Sequence, residues 1–372
     1  MPNIAKGVYI HVPFCRRKCP YCDFYSVVAD DETIHNYALA LIRNILSFNA
    51  CGEKVDTVYF GGGTPSLMSP EDVAKILYAV SHTFTLCNNA EITLEANPCT
   101  VDLNKLCAFK QAGINRLSFG VQSANNNELS RLGRLHDFSQ AELAVINAQN
   151  AGFTNISCDL MIGTPNQTLA SLKESVHRLA SLKIQHISAY MLKIEEGTAY
   201  DCDSVRNSVA DDDTVSDMYL LMCRELESLG YKQYEISNFA AKGYESRHNL
   251  KYWQGTDYIG FGPAAHSFWH GKRFYVPADL KSYLSSSAQI TVAEDEAPDP
   301  LEEYIMLSLR LCSGLSLKKL SSIGGNPKAL LNAAQPFING GFANVNGDSI
   351  CLTPNGFLVS NQIILKLIMS QL

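Results

Sequence analysis

Long apolar runs are missing from this sequence. The longest, Ile363 to Met369, is broken by Lys366 and falls far short of the ~20 residues of a membrane-crossing helix. Positive charge is also in short supply, with 30 Lys and Arg against 37 Asp and Glu and a net charge of -7. That is the wrong sign for a general binder of nucleic acid or of anionic membranes, although a local basic patch stays open. The segment Met1 to Val12 has a single lysine and no apolar core, so it does not read as a secretory leader and the expected address is the cytoplasm. No internal repeat of fixed period occurs. What is there is a globular composition: 46% hydrophobic and 18% charged residues, with 24 Gly and 14 Pro in 372, enough for two to three domains. Paired cysteine spacings are absent for nine of the 12 cysteines, Cys51 to Cys351. In a reducing compartment these nine read as small buried hydrophobes rather than disulfides.

Short β-branched runs alternate with helical patterns through the first half, as in βα units around a parallel sheet. The strands expected are Val8 to Val12, Thr57 to Phe60, Glu91 to Glu95, Arg116 to Val121, Ile156 to Met161 and His186 to Leu192. Helical periodicity marks Glu32 to Asn49, Pro70 to Thr83 and Ser139 to Asn150. A doubly wound open sheet and a (β/α) barrel of fewer than eight units both fit this pattern. Unusual residues follow several different strands, which favours the barrel, because an open sheet concentrates its site at one switch point. The reading is an α/β protein: a partial (β/α)6 barrel over residues 1–200, an extension over 201–293 that covers the barrel mouth, and a small tail domain over 294–372. The extension holds a helix from Asp213 to Leu229, a strand from Lys232 to Ile236, and an aromatic, Gly-rich stretch from Tyr252 to Phe268. The acidic run Glu294 to Pro300 reads as a linker. A helix from Leu301 to Leu311, a hairpin through Val345-Asn346-Gly347-Asp348 and a final helix give the tail a winged-helix-like character.

The strongest chemical signal is Cys15, Cys19 and Cys22, spaced CxxxCxxC just after the first strand. On a helix these would share a face, but Pro20 would clash with the preceding turn, so a loop that wraps its thiols around a common point is expected. Structural zinc normally takes four ligands, which His11 or Asp23 would have to complete. Three thiolates on a 4Fe-4S cluster would instead leave one iron open to another ligand. Arg16, Arg17 and Lys18 put positive charge beside the loop, which lowers thiol pKa values.

With Gly61-Gly62-Gly63-Thr64-Pro65 one βα unit further on, this loop resembles that of the radical SAM superfamily. The resemblance implies a 4Fe-4S cluster on Cys15, Cys19 and Cys22, whose open iron chelates S-adenosylmethionine (SAM). It narrows to the anaerobic coproporphyrinogen III oxidase-like family through Leu117 to Ser123 (LSFGVQS), Asp159 to Pro165 (DLMIGTP) and Arg247 to Trp253 (RHNLKYW), and covers Tyr9 to the carboxyl terminus. By that resemblance Tyr9, Gly62 and Glu95 face a first SAM, while Tyr21, Gly63, Thr64, Gln122, Arg134 and Asp159 match positions used for a second.

Two features resemble the haem-chaperone branch of that family rather than the oxidases. The oxidase-like pattern has a fourth cysteine two positions after the third, where this chain has Phe24 and its cluster begins fifteen residues in. The run His248-Asn249-Leu250-Lys251-Tyr252-Trp253 fits a haem-binding HNxxYW motif. Histidine is a standard haem ligand and adjacent aromatics can stack on a porphyrin. His266 is a second candidate ligand, near Ala264 where relatives commonly have glycine. The implied function is a haem-binding protein that hands haem to an acceptor protein, with a second copy of the chain as a candidate partner. The alternative is an oxygen-independent coproporphyrinogen III oxidase. An RNA- or peptide-modifying enzyme fits less well, because the tail carries no basic or RNA-motif signature.

Overall fold

The computed structural model describes residues 4–50 and 52–371. Six parallel strands form its centre: β1 (Lys6–Val12), β2 (Lys54–Gly62), β3 (Thr85–Ala96), β4 (Arg116–Gln122), β5 (Ile156–Ile162) and β6 (His186–Met191), hydrogen-bonded in chain order. Apolar residues of one strand face, including Val8, Ile10, Val12, Val58, Phe60, Leu94, Leu117 and Phe119, are fully buried in the main core cluster. The opposite face carries Tyr9, Tyr59, Glu95, Ser118 and Asp159, so the two-residue period of each strand separates a packed outer layer from a polar barrel interior. Side-chain caps punctuate the helices. Asp30 caps Asp31–Ser47, Ser69 caps Pro70–Thr83 ahead of Pro70, and Asp137 with Gln140 forms a capping box on Phe138–Asn150.

The segment 201–293 reaches the barrel mouth at Val205, beside Tyr21, and at Leu280, whose N–H donates to Tyr25 OH, and it also widens the sheet on both sides. Antiparallel strands β7 (Lys232–Glu235) and β8 (Asn238–Ala240) extend the sheet beyond β6. Strand β9 (Tyr258–Phe261) lies parallel to β1 as a seventh parallel strand, and β10 (His266–Trp269), β11 (Lys272–Tyr275) and β12 (Val292–Asp295) continue outward from it. The helix Arg247–Trp253 closes the opposite, amino end of the barrel. A Cβ on Gly7, at the start of β1, would lie 3.1 Å from His248 Cε1, from Lys251 Cδ and from Thr57 Oγ1. Arg247 and Lys251 both pair with Asp56 at the start of β2, at 2.8 and 2.7 Å.

The expected linker begins inside β12, so Glu294 and Asp295 are edge-strand residues. Beyond it, helix Pro300–Ser308 leads into a three-stranded sheet of β13 (Leu315–Ser316), β14 (Ala343–Asn346) and β15 (Ser349–Leu352), with the expected hairpin turning at Gly347. Helices Leu317–Ser322 and Pro327–Asn339, which the sequence pattern did not announce, complete this domain with Pro354–Leu358 and Ser360–Met369. Among the described residues no helix is long and apolar enough to cross a membrane. The scattered cysteines correct their reading: Cys158 and Cys223 are buried, Cys87, Cys99, Cys107, Cys312 and Cys351 are half-buried, Cys202 is exposed, and Cys51 lies outside the described residues.

Ala264 has φ +65°, a left-handed conformation that costs a non-glycine residue about 1–2 kcal/mol. Ala264→Gly should therefore stabilise the fold by about 0.5–1 kcal/mol after the added chain entropy is subtracted. A urea midpoint that rises with unchanged slope is the expected reading, and an unchanged or lower midpoint would refute the strain.

Candidate functional site

The cysteine loop leaves the carboxyl end of β1 and is pinched shut at its base. Val27 N–H donates to Pro13 O at 2.8 Å and Cys15 N–H to Val27 O at 3.0 Å. Inside the loop a turn is closed by Cys22 N–H donating to Cys19 O at 3.1 Å. All three cysteines are half-buried. Thr64 Oγ1 lies 3.5 Å from Cys15 Sγ, and Arg134 Nη1 donates to Cys19 Sγ at 3.4 Å. Among the described residues no three His, Cys, Asp or Glu side chains converge on a single ion.

The flanking cations are arranged differently from expectation. Arg16 reaches away to Cys99 O and Arg17 to Gly133 O, and the cation in contact with a thiol is Arg134. Burial pushes the Cys22 thiol up, outweighing the backbone bond at Phe24 and the charge of Lys18. The expected lowering of thiol pKa therefore fails at Cys22 in the cluster-free chain.

The glycine segment ends β2 directly against this loop. A Cβ on Gly63 would lie 2.6 Å from Phe14 O, and one on Gly62, with φ +109°, would lie 2.7 Å from the His11 ring. These glycines thus let the loop backbone approach the end of β2, a need separate from any ligand. His11, weighed in the sequence as a fourth zinc ligand, instead bridges Tyr9 OH at 3.2 Å and Tyr25 O at 3.0 Å, so both its ring nitrogens are engaged. Glu95 accepts from Tyr59 OH at 2.7 Å and from Gly62 N–H at 3.2 Å, and Asp159 accepts from Ser118 Oγ at 3.2 Å. Gln122 takes the left-handed region, φ 76°, beside Gly120, whose carbonyl accepts from Arg134 Nη2 at 2.6 Å. Arg134 Nε is buried without a partner, so one donor of this guanidinium stays free for a carboxylate. Tyr21 turns sideways onto Tyr200, their ring centroids 6.0 Å apart. Tyr59 was missed, and strand alternation was its signal, since it sits two residues before Gly61 at the end of the same strand.

Burial pushes the Glu95 carboxyl up to about 7 and that of Asp159 to about 6. Groups that hold their proton more tightly when folded stabilise the fold at low pH, and that stability is lost as pH rises through 6 to 7. The cluster-free protein should therefore resist urea better at pH 5 than at pH 8, with Glu95 contributing on the order of 3 kcal/mol. Glu95→Gln should flatten this slope, and equal slopes for variant and wild type would refute the assignment.

The two histidines part company. His248 is fully buried in the barrel floor. Its Nδ1 bonds Thr57 Oγ1 at 2.8 Å, its Nε2 bonds Tyr252 OH at 2.9 Å, and its ring stacks on Tyr59 at 5.1 Å. Both ring nitrogens are occupied, so the HNxxYW run is not a surface platform headed by a free imidazole. His266 lies on β10 with its side chain 57% exposed, 3.3 Å from Glu294 and stacked on Tyr275.

A strand-end CxxxCxxC loop on a six-stranded parallel barrel defines a radical SAM protein, and the model of the radical SAM superfamily matches residues 9–179. Such domains hold a 4Fe-4S cluster and SAM, and the donor set here fits both. The model of the HemN C-terminal domain matches residues 296–359. "Heme chaperone HemW" of Bacillus subtilis is 33% identical, over 96% of this chain and 98% of its own length. That of Haemophilus influenzae is 34% identical over 98% of each, and that of Escherichia coli 39% identical over 70% of this chain and 69% of its own. The chain belongs to the HemW family. Among solved structures, coproporphyrinogen III oxidase (HemN) from Escherichia coli superposes with a TM-score of 0.84 at 21% identity, over 99% of this chain and 91% of that one, a likeness of fold.

Proposed function

We propose that this chain is a haem chaperone: a radical SAM protein that binds haem and passes it to an acceptor protein in the cytoplasm, with a second copy of the chain as a candidate partner. The observation that carries the reading is end-to-end similarity to curated haem chaperones, 33% over 96% of the chain for one and 34% over 98% for another. Phe24 in place of a fourth cysteine and the HNxxYW run point the same way. In this proposal Cys15, Cys19 and Cys22 hold the cluster. Tyr9, Gly62 and Glu95 face one SAM, and Tyr21, Gly63, Thr64, Gln122, Arg134 and Asp159 serve a second. Their support is proximity: Thr64 and Arg134 touch cluster thiols, and Glu95 bonds the Gly62 amide. His248 and His266 are the iron ligands that the motif and its neighbourhood nominate. Of these His266 has the exposed ring, while His248 would have to give up a bond to Thr57 or Tyr252.

The test loads cluster-reconstituted protein with haemin under anaerobic conditions and mixes it with apomyoglobin. The expected result is one haem per chain, followed by appearance of the holomyoglobin Soret band. Absence of haem uptake would overturn the proposal.

A further inference from the structure

The largest side chain fully enclosed among the described residues is a cation, Arg116, 1% exposed. It opens β4 in register with Thr93 of β3, and it stands two residues before Ser118, so both project into the barrel with Arg116 one layer deeper. Among the described residues it has no ion-pair partner. Its Nε is buried without a bond, as is the hydroxyl of Thr93 beside it. A guanidinium is costly to bury unless other groups use its charge.

The groups around Arg116 identify that use. Its field reaches Tyr59 on β2, Glu95 on β3, Asp159 on β5, His186 on β6, Tyr234 on β7 and His248 in the floor helix. Burial, with the guanidinium adding to it, holds both histidines below their ordinary range, and burial raises both tyrosines, so these four rings stay neutral. Glu91, deeper on β3, spends Oε1 on the His248 amide at 3.2 Å. Glu95 and Asp159 lie nearer the mouth: Glu95 is in register with Ser118, whose Oγ donates to Asp159. Glu95 is also faced by Tyr9, Tyr190 and Tyr252, and Asp159 by Ser188, Tyr190 and Arg134.

Resting on the reading that Glu95 and Asp159 face SAM, we infer that Arg116 is a positioning residue for SAM, whose charge keeps both carboxyls ionised to meet the sulfonium. Once its amino and carboxylate groups lie on the open iron, SAM retains one fixed charge, the sulfonium, which a carboxylate attracts and a carboxylic acid does not. Burial pushes the Glu95 carboxyl up to about 7 and that of Asp159 to about 6 against the pull of Arg116. Near neutral pH both are therefore close to losing their charge. The guanidinium also repels the sulfonium. That repulsion is the smaller effect, because Arg116 lies below the carboxyls and the ligand lies above them.

Anaerobic calorimetry of SAM binding to cluster-reconstituted wild type, Arg116→Gln and Arg116→Lys at pH 6.5, 7.5 and 9 tests this, with iron content as the measure of an intact loop. Wild-type affinity should rise with pH and level off. Arg116→Gln should bind about tenfold more weakly at pH 7.5 and within about twofold of wild type at pH 9. Arg116→Lys, which keeps the charge, should recover most of the loss at pH 7.5. A loss of equal size at every pH would mark a packing role and overturn the inference, as would wild-type affinity of Arg116→Gln at pH 7.5. A second measurement needs no SAM: in cluster-free protein the infrared band of protonated carboxyls should persist about one pH unit higher in Arg116→Gln, and coincident titrations would also overturn it. Wild-type SAM affinity of both Glu95→Gln and Asp159→Asn at every pH would instead overturn the SAM placement, and this inference with it. Should Arg116→Gln fail to fold, the apolar Arg116→Met replaces it, with the same expected results.

Discussion

Cys19→Ala protein is expected to retain little of the iron and sulfide that the wild type takes up on anaerobic reconstitution. If each cysteine of the loop holds a different iron, as proposed, Cys15 and Cys22 alone would leave two irons without protein thiolates. Cys19 is also the thiol that Arg134 Nη1 meets at 3.4 Å. Its loss leaves a half-buried guanidinium facing a hole with Nε already unpartnered, so water enters where the cluster would sit. Iron and sulfide analysis reads the outcome directly. Cys202→Ala, at an exposed cysteine far along the chain, should leave metal content unchanged. Full iron retention in Cys19→Ala would end the cluster assignment.

Gly62→Ala carries the second large effect, and two costs add. The residue has φ +109°, and its new Cβ would lie 2.7 Å from the His11 ring. The ring cannot step aside freely, because it holds Tyr25 O on the far limb of the cluster loop and Tyr9 OH on the barrel face. A left-handed penalty of about 1–2 kcal/mol and an overpacking penalty of about 1–3 kcal/mol give a loss of about 2–5 kcal/mol. SAM affinity should fall with it, since the Gly62 amide that bonds Glu95 is displaced. Gly243→Ala separates the two costs, because Gly243 has φ +86° and nothing within 4 Å of a new Cβ. Equal urea midpoints for the two variants would refute the steric part.

Much of this molecule was legible in its sequence where local chemistry is distinctive. Strands β1, β2, β4, β5 and β6 are alternating β-branched or apolar runs, and their centres fall where the pattern puts them. The first half of β3 escaped because in Thr85 to Asn89 two half-buried residues, Leu86 and Cys87, sit side by side among exposed polar ones and show no alternation. Strands β9 to β12 escaped because each is four residues long, too short to establish a period. The cysteine loop and glycine segment were readable because their residue types have few other uses at that spacing. The place of His248 was not. Nothing local reports that the seven-residue helix Arg247–Trp253 docks under the barrel, and the contacts that hold it there come from Thr57 and Glu91, 191 and 157 residues earlier in the chain. Its neighbours Lys251 and Tyr252 turn inward with it, while Trp253 lines an outer cleft, a division that reflects helix geometry and not composition.

The most direct measurement of the central claim is product analysis after cluster-loaded protein is incubated with coproporphyrinogen III, SAM and reductant, with haemin uptake by the same preparation as its positive control. A haem chaperone should yield less than about one protoporphyrinogen IX per chain while binding haem stoichiometrically. Accumulation of protoporphyrinogen IX over many turnovers, with SAM consumed in step, would contradict the account and make the chain an oxidase.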